Sequence, residues 1–181
     1  MKEVIFITGN ENKAKYFGEL LGMPLEHRKV DVDEIQSLNL DEVVERKARQ
    51  AYEIIQQPVL VEDVSLTLSS MGRLPGTFVK WFVEEIGNEG ICRLADADSV
   101  RSAVASCAYG YFDGEKLEII RSDLAGNVPD HPKGDEGFGW NPVFIPHDET
   151  LTLGEMDDAT FKQHYLRIKP IKQVKLFLDS L

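Results

Sequence analysis

The chain has 181 residues, 43% hydrophobic and 28% charged, a length and balance that fit one domain with a substantial core. Its formal net charge of −11 excludes bulk binding to nucleic acid, whose phosphates demand a cationic face, and no apolar run approaches a membrane span. Two cysteines far apart (Cys92 and Cys107) with no CxxC, and an N-terminal apolar run too short for a secretory segment, point to a reducing cytoplasm rather than a disulfide scaffold. A few lysines converging on one cleft can still override a diffuse negative surface, so individual lysines carry more information than the total.

In chain order, Val4 to Thr8 reads as a short buried strand ending in turn residues, and Asn12 to Leu21 as a helix with Ala14, Phe17, Leu20 and Leu21 at helical spacing. Leu25 to Val32 resembles a second strand. From Leu40 to Gln56, Val44, Ala48, Ala51 and Ile55 repeat at helical steps, with Asn39 placed to cap the helix. "PVLVEDVSLTL", Pro58 to Leu68, is a buried strand interrupted by two carboxylates. Thr77 to Ile86 reads as an aromatic-rich helix. Val100 to Phe112 and Lys116 to Leu124 flank Asp113-Gly114, a strong hairpin signal. The segment from Asp157 onward is mostly helical, with Pro170 starting or kinking a helix. Strands and helices that alternate and then give way to a hairpin predict an α/β fold with a mixed sheet: one domain, residues 1–181, with two lobes.

Four places carry candidate chemistry. Thr8-Gly9-Asn10 ends the first strand at a helix start, where backbone N–H groups favour an anion, and Lys13 in the first turn is the wrong charge for that end of a helix dipole unless an anion sits there. Any such turn can also hold Gly-Asn and a solvent-facing lysine, so both readings stand locally. Glu62-Asp63 interrupts an apolar strand; a carboxylate at a strand end suits a Mg²⁺ ligand or general base, and the alternative is a strand ending at Val61. Glu34 in "VDVDEIQ" is a second possible metal ligand or part of a solvated charge run. Lys47 and Lys80 are weak alone, although Lys80 lies among Phe78, Trp81 and Phe82. "GFGWNPVF" frames Phe138 and Trp140 with glycines, which suits stacking on a flat ring or simply plugging a core.

Together, "FITGNENK", "VLVEDVSL", "LPGTFVKWF", "GFGWNPVF" and "GEM" occur in the order and approximate spacing of the inosine triphosphate pyrophosphatases, which the chain resembles from Val4 to about Arg167. These house-cleaning enzymes hydrolyse deaminated purine triphosphates such as ITP, dITP and XTP to the monophosphate and pyrophosphate. The resemblance implies an elongated two-lobed α/β domain with a long central mixed sheet flanked by helices, an active site in the cleft between lobes, a Mg²⁺ cofactor and a homodimer. It puts Thr8, Gly9, Asn10 and Lys13 on the triphosphate, with Lys47 and Lys80 on the phosphates and Ser65 among the substrate contacts. It makes Glu34 a Mg²⁺ ligand and Asp63 a metal ligand and catalytic acid residue, with Glu62 beside it. Phe138, Gly139, Trp140 and Asn141 match its base-binding loop, Arg167 matches the Arg of its C-terminal base-reading group, and a family lysine before that group aligns with Phe161, with the substrate-binding candidate Lys162 one residue away.

The chain departs from the family pattern twice. Asn141 replaces the usual Asp of the base loop, and Leu166 replaces the His of a Ser-His-Arg group, with His164 two positions earlier. The phosphate end therefore matches the family, whereas the base end predicts relaxed or altered selectivity, including for another modified nucleotide. The fold-related septum-formation-inhibitor family carries a Ser/Arg-rich N-terminal loop, which "TGNENK" contradicts. A catalytically silent nucleotide-binding module is the remaining alternative.

Overall fold

The computed structural model describes residues 3–96, 101–135 and 139–181. A mixed sheet is flanked by helices. Its strands are β1 (Ile5–Ile7), β2 (His27–Arg28), β3 (Val59–Leu68), β4 (Pro75–Gly76), β5 (Ser102–Phe112), β6 (Leu117–Asn127) and β7 (Ile145–Pro146), in the order β2-β1-β3-β5-β6-β7 with β4 paired to β3. The helices are α1 (Glu11–Leu21), α2 (Leu40–Ile55), α3 (Val79–Ala95), α4 (Asp158–Ile168) and α5 (Ile171–Asp179). β2 and β3 both run parallel to β1, while β4 and β7 are antiparallel to their neighbours. Two compact units are built on these elements: Met1–Asp63, Ala108–Arg121 and Pro170–Leu181 form the first, Val64–Cys107 and Ser122–Lys169 the second.

The first unit is organised by α2. Asn39 accepts a hydrogen bond from the Asp41 N–H, and Asp41 and Glu42 place negative charge at the positive end of the helix. One face of α2 (Leu40, Val44, Ala48 and Ala51) packs on Val59, Val61, Ala108 and Phe112. Each fully buried Leu or Val there contributes about 1.5–3 kcal/mol relative to exposure. Phe17 of α1 packs between Phe6 of β1 and Tyr109 of β5, with ring centroids 4.7 and 5.1 Å away.

Several elements differ from the sequence expectation, including β6, which runs on to Asn127, and the unexpected short β7. The second strand shrinks from 25–32 to two residues, because β1 offers partners only to His27 and Arg28 before the chain turns at Thr8. In the second unit, the helix expected to end at Ile86 resumes after Gly87, whose φ of 66° and ψ of 177° make a kink that glycine tolerates, and continues to Ala95. β4 is too short to leave a periodic signal. Pro170 precedes α5, as its fixed φ favours. Cys92 and Cys107 are not joined in a disulfide and are fully buried; burial pushes the Cys92 thiol up to about 11, which makes it an inert core residue. Among the described residues, no helix is long and apolar enough to cross a membrane.

Candidate active site

β1 has β2 on one side and β3 on the other, so the winding of the sheet reverses at β1. In open α/β sheets such a reversal opens a crevice at the carboxyl ends of the strands. Thr8, Gly9 and Asn10 lie at that end. Thr8 Oγ1 accepts from the Asn10 N–H at 3.1 Å, and Asn10 Oδ1 accepts from the Lys13 N–H at 3.0 Å. Asn10 is thereby the N-cap of α1, one residue earlier than the sequence pattern placed the helix.

The acidic pair sits within β3, which runs unbroken to Leu68 rather than ending at Val61. Successive strand residues face opposite ways, and the two carboxylates meet lysines from two different helices. Glu62, 7% exposed, accepts from Lys13 Nζ at 2.7 Å and from the hydroxyl of the fully buried Tyr109 at 2.9 Å. The anion that rationalises Lys13 at a helix N-terminus is thus a carboxylate of the protein itself. Asp63 Oδ2 accepts from Lys47 Nζ at 2.9 Å, and the same ammonium reaches Glu34 Oε1 at 3.2 Å. Burial alone lowers the Lys47 pKa, but the charges and hydrogen bonds of Asp63 and Glu34 outweigh it and raise the value above 10.5.

Glu34 and Asp63 share one cation, so their oxygens converge on a common point. That donor set fits a hard divalent ion, which takes oxygen ligands and keeps several positions for water and phosphate. Among the described residues, no group of three or more His, Cys, Asp or Glu forms a complete protein cage.

Ser65, Lys80, Gly139, Trp140, Asn141, Lys162 and Arg167 belong to the second unit. Ser65 is buried in β3. Lys80 is exposed, 4.0 Å from Glu84 and 5.1 Å above the Trp81 ring, so its aromatic neighbours do not bury its charge. Gly139 adopts φ 65°, and its carbonyl accepts from the Asn88 side-chain amide at 3.0 Å. Trp140 packs edge-on against Phe144 at 5.7 Å, and Asn141 opens a short 3-10 turn whose first carbonyl accepts from the Gly154 N–H at 3.1 Å. Phe138 lies outside the described residues. Lys162 and Leu166 are exposed on α4. Arg167 Nη1 donates to both oxygens of Asp148 at 2.8 Å, holding that carboxyl below its usual range, and lies 3.0 Å from His164 Nδ1. Tyr109 and Asn88 were not legible as site residues. The one signal for Tyr109 is that a tyrosine in a buried strand needs a partner for its hydroxyl.

The family model described as "Ham1 family" matches residues 4–177. The chain belongs to the Ham1 family. Ham1 relatives named inosine triphosphate pyrophosphatase include one from Yarrowia lipolytica, 34% identical over 97% of this chain and 95% of that protein. Another, from Schizosaccharomyces pombe, is 35% identical over 99% and 97%. The resemblance read from the motifs therefore holds along nearly the whole chain. The fold matches a Ham1 structure from Coxiella burnetii with a TM-score of 0.83 at 23% identity, covering 100% of both chains. It also matches the Staphylococcus aureus Ham1 protein, with a TM-score of 0.82 at 18% identity, covering 98% of each.

Proposed function

We propose that this Ham1 protein is a nucleoside triphosphate pyrophosphatase, which hydrolyses deaminated purine triphosphates such as ITP, dITP and XTP to the monophosphate and pyrophosphate. The observation that carries the reading is the adjacent pair Glu62-Asp63 on β3, each carboxylate bound to a lysine from a different helix, in the unit whose β1 ends in the Thr8-Gly9-Asn10 turn. Phosphoryl transfer is mostly positioning and charge neutralisation, and these residues divide that work. Asp63, on the partly exposed side of the pair, orients the attacking water and accepts its proton. Lys47 holds Asp63 in place through the 2.9 Å contact to Oδ2. Thr8, Gly9, Asn10 and Lys13 hold the phosphate chain at the start of α1. Glu62 is bonded on both oxygens and buried, so its role is to fix Lys13 rather than to meet substrate. Glu34 and Asp63 would hold a divalent ion, Mg²⁺ in this reading, whose contribution would be charge neutralisation on the phosphate oxygens. The family resemblance also supports a single catalytic domain working as a homodimer, and two cysteines kept as thiols support a cytoplasmic setting.

Steady-state pyrophosphate release from ITP, XTP, dITP, ATP, GTP and pyrimidine triphosphates, with and without Mg²⁺, tests the reading. Turnover is expected only with the metal, and fastest on a purine triphosphate with a 6-keto group. Tight nucleotide binding without turnover would replace the enzyme reading with the silent module. Leu166 replaces a hydrogen-bonding imidazole, so discrimination between ITP and ATP is expected to be modest. Leu166→His is expected to raise the ratio of their kcat/KM values about tenfold, the effect of one ordinary hydrogen bond. An unchanged ratio would remove position 166 from base selection.

A further inference from the structure

The acid and lysine cluster has a charge deficit. Lys13 is committed to Glu62, and Lys47 is shared between Asp63 and Glu34, so two ammonium groups face three carboxylates. A triphosphate is itself a polyanion, and a divalent ion offsets only part of the repulsion. The site needs a cation that is not already neutralised.

One lysine meets that need. β1 and β2 pair in register as Phe6 with His27 and Ile7 with Arg28, and the Thr8 N–H donates to the Arg28 carbonyl at 3.0 Å, which sets Lys29 beside Thr8. Its stem lies along the turn: a Cβ added to Gly9 would sit 3.3 Å from Lys29 Cγ and Cδ and 3.5 Å from Cε. Lys29 is exposed, and among the described residues its ammonium has no ion pair, whereas its neighbour Arg28 is tied to Glu26. We propose that Lys29 is a phosphate-contacting residue, its stem laid across Gly9 and its ammonium meeting the phosphate chain held by the Thr8–Asn10 turn. The assignment rests on the triphosphate reading above.

Lys29→Met keeps the methylene stem and removes the charge. Calorimetric binding of inorganic tripolyphosphate, which has no base or sugar, reads the contact directly. Affinity is expected to fall about tenfold in Lys29→Met and further in Lys29→Glu, with a shallower salt dependence in both. KM for the nucleotide should rise in parallel while kcat stays within about twofold. Lys15→Met, which removes the same charge from an exposed position on α1, should bind tripolyphosphate like the unaltered protein. Equal binding by Lys29→Met and the unaltered protein would overturn the assignment, as would an equal loss in Lys15→Met. Failure of the unaltered protein to bind tripolyphosphate at all would overturn the phosphate reading together with it.

Discussion

Replacing Asp63 by Asn is expected to lower kcat for pyrophosphate release by about 10³-fold or more, the scale at which a positioned general base contributes. The substitution is nearly isosteric, and an amide oxygen at the same place still accepts from Lys47 Nζ, now 2.9 Å from Asp63 Oδ2, while Glu34 remains as the second partner. What disappears is the negative charge that, in the proposed reaction, would accept a proton and help hold the metal. Stability should fall by about 1–3 kcal/mol, since the Lys47 and Asp63 side chains are only 17% and 21% exposed and Glu34 remains as a partner for the ammonium. The pH dependence follows from the raised Lys47 pKa. A lysine whose folded value exceeds its unfolded one stabilises the fold fully below about 10.5 and loses that contribution as pH rises through the folded value. The difference in melting temperature between Asp63→Asn and the unaltered protein should thus be flat across neutral pH and change only in strong alkali. A variant that keeps activity within tenfold would take Asp63 out of the chemistry and leave it as an anchor for Lys47.

Elements that depend on neighbours in sequence were legible, and those that depend on distant partners were not. The α2 helix could be read from its period and from Asn39, because both the stripe and the cap are local. β3 was visible because an apolar run announces a buried strand, and its two carboxylates stand out because burial makes unpaired charge costly. Their partners were hidden. Tyr109 is 47 residues from Glu62, and only the sheet order puts β5 beside β3. The length of β2 was misread for the same reason: a strand extends only as far as its neighbour offers hydrogen bonds, and β1 stops at Ile7. Lys13 looked as though it awaited a ligand because its charge opposes the helix dipole. The structure supplies Glu62, and Lys29 is the lysine proposed to bring further positive charge to the phosphates.

Lys13→Met is expected to cost both activity and stability, and the stability loss is the more diagnostic of the two. The side chain of Glu62 is only 2% exposed, and its two oxygens are bonded to Lys13 and Tyr109. Removing the ammonium leaves a buried carboxylate with a hydroxyl donor alone. Breaking a fully buried pair costs about 3–5 kcal/mol, and because a third of the Lys13 side chain is exposed the loss here should be nearer about 1–3 kcal/mol. Without its cation, burial pushes the Glu62 carboxyl of the variant up, so the folded variant holds a proton that the unfolded chain has already released. The stability deficit measured by urea unfolding should therefore grow from pH 5 to pH 8. Adding Glu62→Gln removes the stranded charge and should recover most of the stability, giving a positive coupling in the double-mutant cycle. Activity should stay low in the double variant, because the lysine proposed to meet the phosphates is still missing. Recovery of both properties would show that Lys13 serves only to neutralise Glu62; recovery of neither would mean that its stem, rather than its charge, holds α1 against the sheet.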